Sequence, residues 1–398
     1  MKVYITGLGA VSSIGLDVKS NFNSLQKEQH GIAYTQYIDT YHKTSLPVGE
    51  VKLSNDELIH LLQLPTNSPY SRTELLSFLA AQQAYNQANL NAISQRKRIA
   101  FISGSSVGGM DLSEKYYKRY AIENEHQWKS YFQKHGCYKH TETFAKAYNI
   151  KGLTSTISTA CSSGANAMIY GARLIQSGQA DVVIAGGVDA LAKFTMNGFN
   201  SLKILDTELC RPYDDTRVGL NLGEGAGYVV LESEQSVQAR SAKVYGSLIG
   251  YANTCDAYHQ TASSPEGKGA ILAMTKALTM AGLAPEKIDY INVHGTGTVN
   301  NDVSEGTALQ SVFQNGVPSF SSTKAYTGHT LGASGGIEAV YACLAMQHQV
   351  VLPNLRFQHR IADLTISPQL KFETKKVEHV LSNSFGFGGN NSTLIFAQ

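Results

Sequence analysis

Cys161 stands in the stretch STACSSGANA, residues 158–167, among some of the smallest side chains available. The residues before it, LTSTIST at 153–159, are β-branched and predict a strand, whereas Ala165, Met168, Ile169, Ala172 and Ile175 recur at helical spacing. Cys161 therefore belongs to a strand-to-helix turn. A thiol there meets unpaired backbone N–H groups and the positive end of the helix dipole, which lower its pKa and raise the thiolate fraction without an adjacent base. Ala160, Ser162, Ser163 and Gly164 permit the tight turn and leave space for an acyl group, as in nucleophile elbows. An ordinary turn with an incidental cysteine is the competing reading.

Two histidines weigh against it. NVHGTGT places His294 at a strand end before a Gly-rich turn, and STKAYTGHTLGASGG places His329 in another such turn before a helix. Strand C-terminal ends are where open α/β sheets collect their sites. Most of the 12 histidines are expected to be structural or solvated, but these two share one context alongside a cysteine elbow. Imidazoles flanking a thiolate point to an acyl-enzyme whose second half-reaction stabilises an oxyanion or enolate, because neutral imidazole N–H groups can donate to that oxygen.

The elements that must hold these groups alternate. KVYITGLG, RIAFISGSSVGG, ADVVIAGGVDA, GYVVLES, KVYGSLIGYA, IDYINVHGTGT and STLIFA read as strands, and SRTELLSFLAAQQAYNQANL and PEGKGAILAMTKALTMAGL read as helices. With 36 Gly, 9 Pro and no long Pro/Ser linker, the pattern predicts a layered α/β body. A faint repeat runs through it: SGANAMIYGARLIQSGQ from Ser163 lies over SGGIEAVYACLAMQHQ from Ser334, matching Gly164 with Gly335 and Tyr170 with Tyr341. FISGSSVGG likewise lies over NVHGTGTVN, and GYVVLES over STLIFA. The chain reads as two copies of one unit, 1–245 with the cysteine and 246–398 with both histidines.

Composition narrows the class. The 398 residues are 42% hydrophobic and carry 33 basic against 31 acidic side chains, too balanced for a nucleic-acid or membrane-surface protein. MKVYITGLGAVSS has only Lys2 and a short apolar alternation, and no segment approaches 18 continuous apolar residues, so a soluble cytoplasmic protein is expected. The five cysteines include no CxxC or zinc-ligand spacing, so neither disulfides nor a metal is expected. Cys137, Cys210, Cys255 and Cys343 read as small buried or semi-buried apolar residues.

Together STACSSGANAM, GLNLGEGAGYVVLE, VHGTGTVNND, STKAYTGHTLGASGGIEA and SNSFGFGGNNS resemble, in order and spacing, the elongating β-ketoacyl-acyl-carrier-protein synthases of the thiolase superfamily. The resemblance covers nearly the whole chain. It implies a thiolase-like α/β fold, a duplicated βαβαβαββ unit in five layers (αβαβα). It implies that Cys161 accepts an acyl chain from a carrier-protein phosphopantetheine, and that the carbanion from malonyl decarboxylation then attacks it. His294 and His329 would hold the malonyl carbonyl, and Lys324 would orient a histidine and tune the charge. Asp302, Glu305 and Glu338 match acidic supporting residues, and a buried lysine needs a carboxylate partner in any case. Phe387 would gate the pocket beside Phe385, its backbone N–H joining that of Cys161 in an oxyanion hole; Val107 and Phe199 match the acyl tunnel. No resident cofactor is implied. An acyl carrier protein is the implied partner, in a homodimer paired through TSTIST or a heterodimer with a chain-length-factor-like subunit.

The chain departs from the family pattern in places. Residues 111–148 lack the usual pocket-lining segment, the elbow reads Cys-Ser-Ser-Gly, the histidine loop reads Gly-Thr-Val-Asn, and Asn390 stands where Thr is common. TNSPYSRTELL, often rich in basic carrier-docking residues, keeps only Arg72. Fatty-acid elongation is the leading expectation; the alternative is the same condensation in a specialised polyketide or aryl-polyene pathway. Cys161 argues against a non-condensing partner subunit, and the absence of a cysteine in SFGFGGNNS argues against a thiolase.

Overall fold

The runs of Val, Ile and Gly that predict strands are buried on both faces, as a sheet between helical layers requires. The computed structural model describes residues 2–66, 69–93 and 98–398; Asn67 and Ser68 of TNSPYSRTELL, and Met1 before Lys2, lie outside the described residues. The strands are β1 (Val3–Ser12), β2 (Ile99–Gly104), β3 (Thr154–Ile157), β4 (Val182–Asp189), β5 (Gly225–Ser233), β6 (Gly246–Cys255), β7 (Tyr290–Asn292), β8 (Ser319–Ser321), β9 (Val350–Val351), β10 (Glu373–Thr374), β11 (His379–Gly386) and β12 (Asn390–Ala397). β9 and β10 form a separate ribbon, and the other ten make one sheet in the order β3-β2-β4-β5-β1-β6-β12-β11-β7-β8.

That order mirrors itself about the β1·β6 pair, where Val3 faces Leu248. In each half the two outermost pairings and the next are alike: β2 runs parallel to β3 and β4, and β7 runs parallel to β8 and β11, while the inner pairs are antiparallel. The helices Ser163–Gln176 and Ser334–His348 pack on each other and against strands of both halves. Outer helices Arg72–Gln87 and Lys268–Ala281 cover β1 with β5 and β6 with β12, completing the α/β thiolase-like layering.

Sequence explains the placement. Every residue from Ser334 to Met346 is buried, as expected of a helix apolar on all sides. The helix Arg72–Gln87 begins with a capping box in which Ser71 and Glu74 exchange hydrogen bonds. The two central helices cross at repeat-equivalent glycines. A Cβ on Gly164 would lie 2.9 Å from Gly332 O and Gly336 N, and one on Gly335 would lie 2.7 Å from Ala165 N. Only glycine allows both helix starts to meet there.

Residues 111–148 fold into short helical pieces around an aromatic cluster, with Tyr116 stacked on Trp128 at 4.5 Å and tilted against Tyr131 at 4.3 Å. Among the contacts that tie the region down are His140 Nε2 to Ser103 Oγ at 2.6 Å, Lys134 Nζ to Glu74 Oε1 at 2.7 Å, and Glu114, which accepts the Lys193 and Phe194 N–H groups. β3 pairs with β2 along one edge, and its four residues stay half-buried. Among the described residues no helix is long and apolar enough to cross a membrane.

Candidate active site

The elbow forms where β3 must turn back into a helix. Ala160 adopts a left-handed φ of 51°, a costly conformation for a residue with a Cβ. Local bonds hold it: Thr159 N–H donates to Ser163 Oγ at 2.9 Å, and Ser163 N–H donates to Ala160 O at 3.1 Å. Cys161 is thereby set just before the helix Ser163–Gln176, only 4% exposed.

Both histidines reach it from the other half of the sheet. His294 follows β7, and its N–H and that of Gly295 donate to Glu305, each at 2.8 Å. His329 places Nε2 3.0 Å from Cys161 Sγ. Leu331 N–H points at His329 Nδ1 from 3.3 Å, which makes Nδ1 the acceptor and leaves the proton on Nε2. The His329 ring therefore offers an N–H toward the sulfur. The two imidazoles meet edge-on with centroids 5.3 Å apart, and one donor atom each from Cys161, His294 and His329 lie within 4.8 Å of one another.

Lys324 supplies the buried charge. Its Nζ donates to Glu338 Oε1 at 2.5 Å, with both side chains almost fully buried. Burial and the Lys324 cation hold both imidazoles well below their ordinary pKa, so they are neutral donors. Burial also pushes Glu338 up, opposed by Lys324.

The thiol departs from the sequence expectation of a lowered pKa. Burial pushes Cys161 up to about 11, outweighing the Lys324 charge and the Phe387 and Cys161 backbone N–H groups that favour the thiolate. The resting sulfur is a thiol. The enclosed site makes desolvation a larger effect than the helix terminus, and this is not visible in the local sequence. Cys255 is also corrected: Cys210 and Cys343 are buried and Cys137 half-buried, but Cys255 is exposed at the end of β6.

The other acidic residues organise backbone. Asp302 accepts from Tyr213 N–H at 2.7 Å and Gly297 N–H at 3.2 Å, and faces Arg217 at 3.8 Å. Glu305 takes a third bond from Asn383 Nδ2 at 3.1 Å. Sequence reasoning missed Asp189, which accepts from Ser105 and Ser106 hydroxyls and from the Ser106, Val107 and Gly332 N–H groups. Its signal was a carboxylate closing the apolar run ADVVIAGGVDA. Arg72 is no docking residue: it is 5% exposed, clamped on Glu224 by bonds of 2.6–2.9 Å and on Val51 and Leu53 carbonyls.

Two cavities meet at Cys161. One, about 260 Å³, is lined by His294, His329, Thr296, Thr298 and Phe385; the other, about 370 Å³, by Val107, Met110, Phe194, Leu202 and Leu331. Cys161, Phe199 and Phe387 border both, and the Phe199 and Phe387 rings stack at 5.7 Å. Phe385 is buried against His294, with centroids 5.9 Å apart. A sulfur between a cavity that mixes polar and apolar groups and an almost wholly apolar one can hold an acyl chain on the apolar side while a second substrate enters from the other.

Residues 1–236 match the β-ketoacyl synthase N-terminal domain, and residues 245–358 match the β-ketoacyl synthase C-terminal domain. The chain belongs to the β-ketoacyl synthase family. This synthase is 34% identical to 3-oxoacyl-acyl-carrier-protein synthase 2 of Staphylococcus aureus (strain MRSA252), over 100% of this chain and 98% of the relative. It is 35% identical to the protein of the same name from Synechocystis sp. (strain ATCC 27184 / PCC 6803 / Kazusa), over 99% and 97%. Among solved structures it superposes on the ishigamide ketosynthase/chain length factor with a TM-score of 0.92 at 29% identity, covering 100% of this chain and 99% of that one. The ketosynthase ApeO in complex with its chain length factor ApeC from Xenorhabdus doucetiae gives 0.87 at 32% identity, covering 100% and 98%.

Proposed function

We propose that the synthase performs a decarboxylative Claisen condensation, joining an acyl group on Cys161 to malonyl-acyl-carrier protein to give a 3-oxoacyl-acyl-carrier protein in fatty-acid synthesis. The observation that carries it is the convergence of Cys161, His294 and His329 at the junction of two cavities. In the first half-reaction the Cys161 sulfur attacks the acyl thioester carbonyl and the phosphopantetheine thiol leaves with a proton. The Cys161 and Phe387 N–H groups, both directed at the sulfur region, are placed to bind the oxyanion. In the second, the malonyl C–C bond breaks to release carbon dioxide, and its electron pair becomes the enolate. Neutral His294 and His329 donate to the enolate oxygen, while Lys324 adds positive charge. The enolate carbon bonds to the acyl carbonyl, and the sulfur departs from it as a thiolate that takes up a proton from water to restore the resting thiol.

Val107 and Phe199 line the acyl side, with Phe387 as its gate and Phe385 backing His294. Glu305 and Asp302 position the His294 loop, and Glu338 holds Lys324. Residues 1–245 and 246–398 act as the nucleophile half and the histidine half. The phosphopantetheine arrives on the carrier protein, so no resident cofactor or metal takes part. The enzyme is cytoplasmic and works as a dimer, the free edge of β3 pairing with its copy.

A second reading keeps the chemistry and changes the pathway. Likeness to the two ketosynthase/chain length factor structures favours a specialised polyketide or aryl-polyene chain and a heterodimer with a chain-length-factor-like subunit. Purified enzyme given a panel of acyl carriers with malonyl carrier separates the cases by product mass. A single two-carbon extension of saturated acyl groups supports the first reading, repeated extension without reduction supports the second, and no 3-oxo product with any donor contradicts both.

A further inference from the structure

Two of the chain's departures from its family meet in space. Ser162, in the Cys-Ser-Ser-Gly elbow, places Oγ 2.7 Å from Oδ1 of Asn390, the residue standing where Thr is common. The same oxygen accepts from Asn166 Nδ2 at 2.8 Å and from Asn253 Nδ2 at 2.7 Å. Three donors from two elements, the nucleophile turn with its helix and β6, thus converge on one side-chain oxygen at the first residue of β12. Asn166 is itself fixed to Thr159 Oγ1 at 2.9 Å, on the near side of the elbow.

Asn390 lies three residues after Phe387, and the residues between them are Gly388 and Gly389, with left-handed φ of 80° and 76°. Both are also bonded to the chain beyond β6: Gly388 N–H donates to Gln260 O at 2.8 Å, and Gly389 O accepts from Asp256 N–H at 2.8 Å. On its other side Gly386 presses on the elbow, where a Cβ would lie 2.9 Å from Thr159 O and 3.2 Å from Cys161 N. The loop is therefore anchored to the nucleophile turn at both ends.

We propose that Asn390 is a positioning residue, a post that ties the gate loop to the Cys161 elbow through Ser162 and Asn166 and holds the Phe387 N–H over the sulfur. A threonine hydroxyl sits one bond nearer the backbone than Oδ1, short of the point where the three donors converge, and it carries a proton of its own that needs an acceptor there. The post holds the loop backbone, so that the Phe387 side chain can swing while its N–H stays over the sulfur. The inference rests on Cys161 being the acylated residue.

The test measures acyl transfer to Cys161 by intact-protein mass in N390T, S162A and the double variant, with the pH midpoint of iodoacetamide alkylation and amide hydrogen exchange of the 386–391 segment. Loosening one oxyanion donor lowers the transfer rate constant about tenfold in N390T, with little change in half-saturation by the acyl donor. Exchange in the gate segment quickens, the alkylation midpoint rises as the Phe387 N–H is lost to the sulfur, and the two substitutions together do little more than N390T alone. S162A, whose neighbours stay bonded to Asn390, shifts the same readouts less and serves if N390T does not fold. Transfer within twofold of wild type with unchanged midpoint and exchange, or fully additive effects, overturns the post. Failure of the wild-type enzyme to acquire an acyl adduct on Cys161 would instead refute the acyl-enzyme reading beneath it.

Discussion

Replacing Lys324 by methionine separates what the buried cation does for the fold from what it does for the site. Lys324 is 2% exposed and its Nζ meets Glu338 Oε1, while Glu338 Oε2 has no partner among the described residues. Removing the cation strands a buried carboxylate, and breaking such a pair costs about 3–5 kcal/mol. Burial already raises the Glu338 pKa and Lys324 is the opposing influence, so the carboxyl takes up a proton in K324M and the loss falls toward the lower figure. Replacing both partners, in K324M/E338L, removes the desolvation of both charges and recovers most of that stability. Activity does not recover, because the Lys324 charge also favours the Cys161 thiolate and adds to the burial that keeps His294 and His329 neutral. Urea unfolding followed by circular dichroism reads the first effect, and condensation rate reads the second. If the double variant regains activity along with stability, Lys324 is a structural residue and the electrostatic role assigned to it is wrong.

Three further outcomes follow from named contacts. Glu305→Gln puts an amide NH₂ against N–H groups that now meet a carboxylate, costing about 1–3 kcal/mol in placing His294, so malonyl decarboxylation slows while acyl loading of Cys161 persists; equal loss of both steps would contradict this. The Cys161 thiol, up to about 11 in the folded chain against 9.0 ordinarily, keeps its proton where the unfolded chain has lost it, so its contribution is complete below pH 9 and vanishes as pH rises through 11. Wild type then loses about 3 kcal/mol more than Cys161→Ala across that window in urea titrations, and parallel curves would refute the raised pKa. Gly164→Ala drives a Cβ to 2.9 Å from the Gly332 and Gly336 backbones and destabilises by about 1–3 kcal/mol, whereas neutral behaviour would mean the central helices are free to slide apart.

Much of this architecture was legible because it is local. The β-branched run before Cys161, the helical spacing after it and the Gly-rich turns at His294 and His329 mark strand ends and helix starts without reference to distant residues. The repeat pairing Gly164 with Gly335 was visible as a weak sequence match, and the two glycines prove to be where the central helices touch. What stayed hidden depends on pairs far apart in the chain. Arg72 looked like a lone surface cation until Glu224, 152 residues on, closed over it. Asp189 gathers loops at 105–107 and 332 that nothing in its own segment announces. The thiol's raised pKa is a property of enclosure by both halves of the sheet, and neither the turn nor its helix contains it. Residues 111–148 resisted reading because their helices are short and docked by residues distant in the chain, as His140 is by Ser103 and Phe144 by Phe78 and Phe101.

The division of labour between sulfur and imidazoles is tested most directly by carbon dioxide release from malonyl-acyl-carrier protein in Cys161→Ala and His294→Ala. Cys161→Ala is predicted to form no acyl adduct and no 3-oxo product yet still release carbon dioxide, and His294→Ala to take up the acyl group yet release none. Normal elongation by Cys161→Ala, or near wild-type condensation by His294→Ala, would contradict the account.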